Sequence, residues 1–193
     1  QKSWEVKNQH YVLIHAASGG VGQILTQWSK IIGATVIGTV GNDYKASIAK
    51  NNGCDFVINY SNENFESKVI EYTNKHGADV IYDAVGKDTF EKGLNCLAKR
   101  GRIVSYGISS GKIDPIDINK LRPLSASIAT GGLLEYTKNI DEYQKNADDL
   151  FDLIHESKIK IQIHNEYNFN EIQLAHIELE QRKSVGKIII NLG

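Results

Sequence analysis

Between Tyr11 and Tyr106 a short apolar run recurs five times, with helical hydrophobic spacing in the intervals. The first run, residues 11–16 (YVLIHA), ends in a glycine cluster, as a buried parallel strand does. Val21, Ile24, Leu25, Trp28, Ile31 and Ile32 then follow at steps of three and one, an apolar stripe on one helix face that Gly33 is placed to end. Residues 34–40 predict a second strand. Residues 43–52 predict a short helix opened by Asn42 or Asp43 and closed by Gly53. The alternation continues with a strand at 55–59 and a helix at 62–75 whose inner face carries Phe65, Val69 and Ile70. A strand at 79–85, a helix at 88–99 with Phe90, Leu94 and Leu97, and a strand at 102–106 complete it. This rhythm predicts an α/β fold, a doubly wound parallel sheet of the Rossmann type, with right-handed crossovers that place helices on both faces.

After Gly111 the rhythm changes. Residues 125–130 (SASIAT) predict a sixth, edge strand, and residues 140–154 a longer helix with Ile140, Tyr143, Ala147, Leu150, Phe151 and Ile154 on one side. Strand-like runs at 159–163 and 187–192, separated by a helix at 170–181, have no partner in a six-stranded sheet. The expected organisation is a nucleotide-binding domain over residues 1–134, with 1–9 as a linker, and a segment over 135–193 that completes another structure. The chain contains no Met and begins at a Gln within polar sequence, so it is expected to be part of a longer protein.

Composition narrows the partners. With 22 Lys+Arg against 23 Asp+Glu the net charge is −1, without the basic footprint that nucleic-acid binding leaves. No apolar run approaches the roughly 18–20 residues of a spanning helix, so no membrane is expected as a partner. Cys54 and Cys96 form no CxxC pair and read as buried thiols, and residues 1–10 lack the apolar stretch of a signal peptide; the expected location is cytoplasmic.

The chemistry concentrates at Ala17-Ser18-Gly19-Gly20-Val21-Gly22, which matches G-x-G-x-x-G with Ala in place of the first Gly. Such a strand-to-helix turn lets backbone N–H groups at a helix N-terminus face a pyrophosphate, with Gly19 admitting the phosphate and Gly22 letting the helix approach the strand. The motif follows a strand and opens an amphipathic helix, the context that gives it meaning; a glycine-rich turn with no ligand is the alternative. From Ala17 through Asn42 there is no Asp or Glu, so the acid that would hold a ribose 2′-OH is missing from the end of the second strand. Lys45 lies one helical turn beyond Gly41, and an uncovered 2′ position beside a cation favours NADPH. Asp43 either serves as a late ribose acceptor or caps the next helix.

At this point AASGGVGQ (16–23), GTVGNDYK (38–45), INY (58–60), YDAVG (82–86) and SYGISSG (105–111), in order and at natural spacing, resemble the zinc-independent, zeta-crystallin-like quinone oxidoreductases of the medium-chain dehydrogenase/reductase superfamily. The resemblance covers nearly the whole chain and implies hydride transfer from NADPH to a quinone or another conjugated carbonyl. It implies that Ser18, Gly19, Gly20 and Val21 line the pyrophosphate, that Gly41, Lys45 and Tyr60 surround the 2′-phosphate, and that Val85 lies near the adenine or ribose. It also implies that Tyr106, Gly107 and Ser109 lead towards the nicotinamide half, that Arg182 reaches back to the cofactor, and that no metal is bound. The chain departs from the pattern in two places: Ala84 stands where some relatives have Ser, and Gly131-Gly132 where some have Arg-Pro. Relatives carry an upstream GroES-like barrel that the tail strands would join, with residues 4–6 in the linker to it. A homodimer through the edge strand at 125–130 is likewise implied. The alternatives are a truncated NADPH-binding remnant without turnover, and an enone or alkenal reductase.

No residue of the chain is expected to act as an acid–base catalyst. His15 sits in an apolar strand beside the glycine turn, either as a packed core residue or as a proton relay. His76, His155, His164 and His176 have no Glu or Cys at metal-ligand spacing. Ser109-Ser110 lacks the G-x-S-x-G elbow of a nucleophile, and the acids at 141–142 and 148–149 read as a solvated helix face.

Overall fold

The structure, a computed structural model, describes residues 4–181 and 184–193. Its elements are β1 (Tyr11–His15), α1 (Gly20–Ile32), β2 (Thr35–Val40), α2 (Asp43–Asn51), β3 (Phe56–Asn59), α3 (Phe65–Tyr72), β4 (Ala78–Asp83), α4 (Phe90–Leu94), β5 (Leu97–Ser105), β6 (Ser127–Thr130), α5 (Leu133–Tyr136), α6 (Ile140–His155), β7 (Ile163–Asn168), α7 (Ile172–Glu180) and β8 (Lys187–Asn191). Strands β1 to β6 form one sheet in the order β3-β2-β1-β4-β5-β6, every pair parallel. The expected doubly wound sheet is present, and its strand order reverses between β1 and β4.

Each central strand buries both faces, because its side chains alternate between two cores. Val12, Ile14, Val36, Val40, Val80, Tyr82 and Val104 meet α1 on one side, where Leu25 and Ile32 pack. Leu13, Ile37, Ile58, Ile81 and Ile103 meet Phe65, Val69, Phe90 and Leu94 of α3 and α4 on the other. Helix starts follow local chemistry: Asn42 caps α2, Asn64 caps α3 and Asn139 caps α6, each by accepting a backbone N–H. Gly33, at φ +91°, ends α1 as its position in the sequence predicts.

Several expected boundaries shift. The stripe on α1 does not face the sheet as a whole: Gly22, Gln23, Thr26 and Ser29 are buried, whereas Val21 and Ile31 are exposed. The helix lies so close to β1 that small side chains fill the contact. The helix expected at 88–99 is only the short α4, and β5 begins at Leu97 in place of 102, after Cys96 donates its N–H to the Gly93 carbonyl. Helix α3 stops at Tyr72, and Asn74 and Lys75 adopt positive φ. In the tail, residues 159–163 are not a strand. Ile159 is buried and the strand starts at Ile163, pairing in parallel with β8, so the two tail strands partner each other. The apolar side of α6 is open to solvent, with Ile140 and Phe151 both more than half exposed.

Candidate cofactor site

The carboxyl ends of the strands carry the expected residues, and the glycine turn sits at the strand-order reversal, where open α/β sheets bind ligands. Ala16 takes φ +54° to turn the chain out of β1, and the Gly19 N–H donates to the Ala16 carbonyl at 2.9 Å. Gly19 is the N-cap of α1 in extended conformation. No side chain caps the helix and its first turn holds no acid. The backbone N–H groups that open α1 are therefore available to an anion. A Cβ on Gly22 would lie 2.3 Å from the Ala16 carbonyl oxygen and 2.9 Å from the Ala17 Cα, which explains the glycine there. A turn that carries no side chain at Gly19 and Gly20 and is pressed against the strand by Gly22 fits a dinucleotide pyrophosphate.

A second cluster lies beyond β2 and β3. The Tyr60 hydroxyl would be 2.8 Å from a Cβ on Gly41, so its phenol covers that glycine, and the Tyr60 N–H donates to the Val40 carbonyl at 3.0 Å. Lys45 is half-buried in the first turn of α2, its N–H donating to the Asn42 side chain at 2.8 Å. Ser61 Oγ donates to the Gly41 carbonyl at 2.8 Å, a contact without a clear sequence signal. The reading of Asp43 as a cap does not hold. Asn42 is the cap, and the Asp43 carboxyl accepts from the Asn59 side chain at 2.7 Å. Gly41 and Tyr60 thus meet beyond the end of β2, Lys45 follows in the first turn of α2, and β2 itself carries no carboxyl.

The loops after β4 and β5 form the other end. Ser109 N–H donates to the Ala84 carbonyl at 3.2 Å and Ser110 N–H to the Val85 carbonyl at 2.8 Å, so the two loops run side by side. Gly107 lies against Ala84, where a Cβ would come within 2.7 Å of the carbonyl oxygen. Val85, Tyr106, Gly107 and Ser109 are thereby gathered. From β3 to β5 the site crosses four strand spacings, about 19 Å. Arg182 lies outside the described residues.

Sequence reasoning missed the residue that holds these loops. Asp83, at the end of β4 and fully buried, accepts from the Val85 N–H at 2.7 Å, the Gly86 N–H at 3.0 Å and the Thr89 hydroxyl at 2.9 Å. An Asp that ends a strand, with Gly three and Thr six residues on, was the available signal, since Asp side chains organise turns in this way. Next to it, His15 is fully buried. Its Nδ1 is 2.9 Å from Thr39 Oγ1 and its ring packs edge-on against Phe65 at 5.0 Å. Burial pulls its pKa from 6.5 down to about 4, with nearby Asp83 opposing. A neutral, packed histidine results, in line with the core reading. Burial pushes Tyr82 up to about 12 and, together with Asp83 and Tyr82, raises Tyr106 further, so neither phenol ionises near neutrality. Cys54 is pushed up to about 11 and Cys96 to about 12, mainly by burial, which leaves both thiols unreactive. Among the described residues, no three His, Cys, Asp or Glu side chains form a metal-binding group.

A parallel sheet with a bare glycine turn at its strand reversal and loops converging from four neighbouring strands defines a dinucleotide-binding domain. More narrowly, the chain belongs to the zinc-binding dehydrogenase family, whose model matches residues 20–152. It is 38% identical to 2-haloacrylate reductase of a Burkholderia species over 188 residues, covering 96% of this chain and 56% of that protein. It is 36% identical to quinone oxidoreductase of Pseudomonas aeruginosa over 191 residues, covering 98% and 59%. Its fold matches Escherichia coli quinone oxidoreductase complexed with NADPH at a TM-score of 0.93, with 37% identity over 99% of this chain and 60% of that one. The expected kinship with quinone oxidoreductases is borne out. The chain spans less than two thirds of these relatives' length.

Proposed function

We propose that the chain is the cofactor-binding portion of an NADPH-dependent oxidoreductase that transfers hydride to a quinone or another conjugated carbonyl. The observation that carries this is the arrangement beyond β2: the Tyr60 phenol over Gly41, Lys45 one helical turn further along, and no acid on the strand. A 2′-phosphate needs a cation and a hydroxyl there, whereas a free ribose needs a carboxylate. NADPH, when bound, supplies the hydride. The chain supplies the grip. Ser18, Gly19, Gly20 and Val21 face the pyrophosphate, Val85 the adenosine half, and Tyr106, Gly107 and Ser109 direct the nicotinamide half, with Arg182 as a further contact. A quinone takes charge on oxygen and delocalises it, so solvent can deliver the proton and no residue of this chain need act as an acid. Zinc-independence belongs to the same proposal, by kinship with the quinone oxidoreductases. Lys45→Ala is expected to weaken NADPH binding about tenfold, the loss of one charge-assisted contact, and to leave NADH binding unchanged in a nicotinamide-fluorescence titration. Equal loss for both nucleotides would place Lys45 away from the 2′-phosphate and contradict the proposal.

The 2-haloacrylate reductase among the relatives favours a second substrate reading, an activated alkene of the enone or alkenal kind. The upstream half missing from this match would hold most of the substrate pocket, with residues 135–193 completing it and 1–134 forming the nucleotide-binding domain. A remnant that binds NADPH without turnover is the reading to adopt if binding is found but no acceptor is reduced. A cytoplasmic enzyme fits two buried, unpaired cysteines, and no described helix is long and apolar enough to cross a membrane. Among the described residues strand β6 pairs only with β5, leaving its outer edge unpaired with Ile128 38% exposed, so the proposal includes a homodimer that pairs two such edges. A dimeric mass is expected by light scattering, and a monomeric mass at working concentration would remove the dimer from it.

A further inference from the structure

The C-terminal tail closes onto the glycine turn. Gly19 forms an isolated parallel bridge with Gly186, whose N–H donates to the Ser18 carbonyl at 3.3 Å. Both sides of the tail are fixed. The Gln27 side chain accepts from the Lys160 N–H at 2.8 Å and donates to its carbonyl at 3.0 Å, and the Lys187 N–H donates to the Gln162 carbonyl at 2.8 Å. Gly186 is held at φ +85°, and a Cβ there would be 2.2 Å from the Gln162 oxygen, so only glycine permits this approach. Lys187 follows directly. Its Cδ and Cε each lie 3.2 Å from where a Cβ on Gly20 would stand. The lysine stem therefore runs along Gly20, in the uncapped first turn of α1, and its ammonium lies one bond beyond Cε. Among the described residues no acidic group pairs with it.

We propose that Lys187 is a cofactor-binding residue, its ammonium neutralising the pyrophosphate seated on the turn formed by Gly19, Gly20 and Val21, so that tail and turn make one anion site. The inference rests on the reading of that turn as a pyrophosphate site, and neither the glycine motif nor the 2′-phosphate cluster requires it. A flexible lysine can provide such a contact as a point charge, on a stem anchored by the tail backbone. It also links the C-terminal segment to cofactor binding, which the strand pattern alone gave no reason to expect.

The test is a fluorescence titration of NADPH and of NADH with the wild-type protein, Lys187→Gln and Lys187→Arg. Both nucleotides carry the pyrophosphate. Lys187→Gln is therefore expected to weaken both by the same factor, about five- to tenfold for one charge-assisted contact, whereas Lys45→Ala weakens NADPH alone. Raised salt should shrink the difference from wild type, and Lys187→Arg should restore most of the affinity. Unchanged binding of both nucleotides by a Lys187→Gln protein with a wild-type unfolding midpoint would overturn the inference while leaving the turn's role intact, as would a loss confined to NADPH. Failure of the wild-type protein to bind either nucleotide would overturn the reading of the turn itself, and this inference with it.

Discussion

Asp83→Ala is expected to destabilise the protein by about 3 kcal/mol, because it strands two buried donors and a half-buried third at once. The carboxyl group accepts from Val85 N–H, Gly86 N–H and the Thr89 hydroxyl, at distances between 2.7 and 3.0 Å. Among the described residues only Thr89 has another acceptor in reach, the Gly86 carbonyl at 3.4 Å. Each orphaned donor costs about 1–3 kcal/mol when water cannot replace the lost partner. The damage extends to the site, since the Val85 carbonyl holds Ser110 through two contacts and the Ala84 carbonyl holds Ser109. NADPH affinity should therefore fall together with stability. Asp83→Asn retains an acceptor oxygen and should recover more than half of the loss. Urea unfolding of the two variants measures this directly, and an Asp83→Ala midpoint equal to wild type would show that the loop is held by other contacts.

The second large effect is expected at Gly22. An alanine methyl there would meet the Ala16 carbonyl oxygen at 2.3 Å, the Ala17 Cα at 2.9 Å and the Ala17 carbonyl carbon at 3.0 Å. All three atoms are backbone, so no side chain can rotate away. Either α1 lifts from β1 or the turn deforms, at a cost of about 3 kcal/mol, the upper end of overpacking effects. Lifting α1 also moves the N–H groups that open it, so Gly22→Ala should lose nucleotide binding even under conditions where it remains folded. Gly132 supplies the control. A Cβ there meets nothing within 4 Å, and Gly132→Ala should stay within about 0.5 kcal/mol of wild type. If Gly22→Ala matched Gly132→Ala in midpoint and in NADPH affinity, the close approach of helix and strand would carry no weight in the site.

The sequence made the fold legible where periodicity and punctuation agree. β1, the glycine turn, α1 and Gly33 stand where apolar run, motif, stripe and terminator place them. It was less legible where one signal had two outcomes. Leu97 continues a helical spacing from Phe90 and Leu94, yet it opens β5, because α4 ends after five residues and the chain re-enters the sheet. The apolar residues of α1 read as one inward face, but the closeness imposed by Gly22 gives the contact to small side chains and turns Val21 and Ile31 outward. Ile159 looked like the start of a strand because burial and strand formation share a composition. In the tail it is an anchor, with β7 beginning four residues later. The proposed 2′-phosphate site rests on a missing acid and a nearby cation, both of which are local in the sequence. Asp83 and the Lys187 contact depend on loops and termini that only the folded sheet brings together.

The most direct test of the central claim is the ratio of NADPH to NADH affinity in the wild-type protein, measured by nicotinamide fluorescence. With Lys45 and Tyr60 at an acid-free strand end, NADPH should bind at least about tenfold more tightly, as a single charge-assisted phosphate contact requires. Equal affinities, or a preference for NADH, would contradict the assignment of the Gly41–Lys45–Tyr60 cluster to a 2′-phosphate.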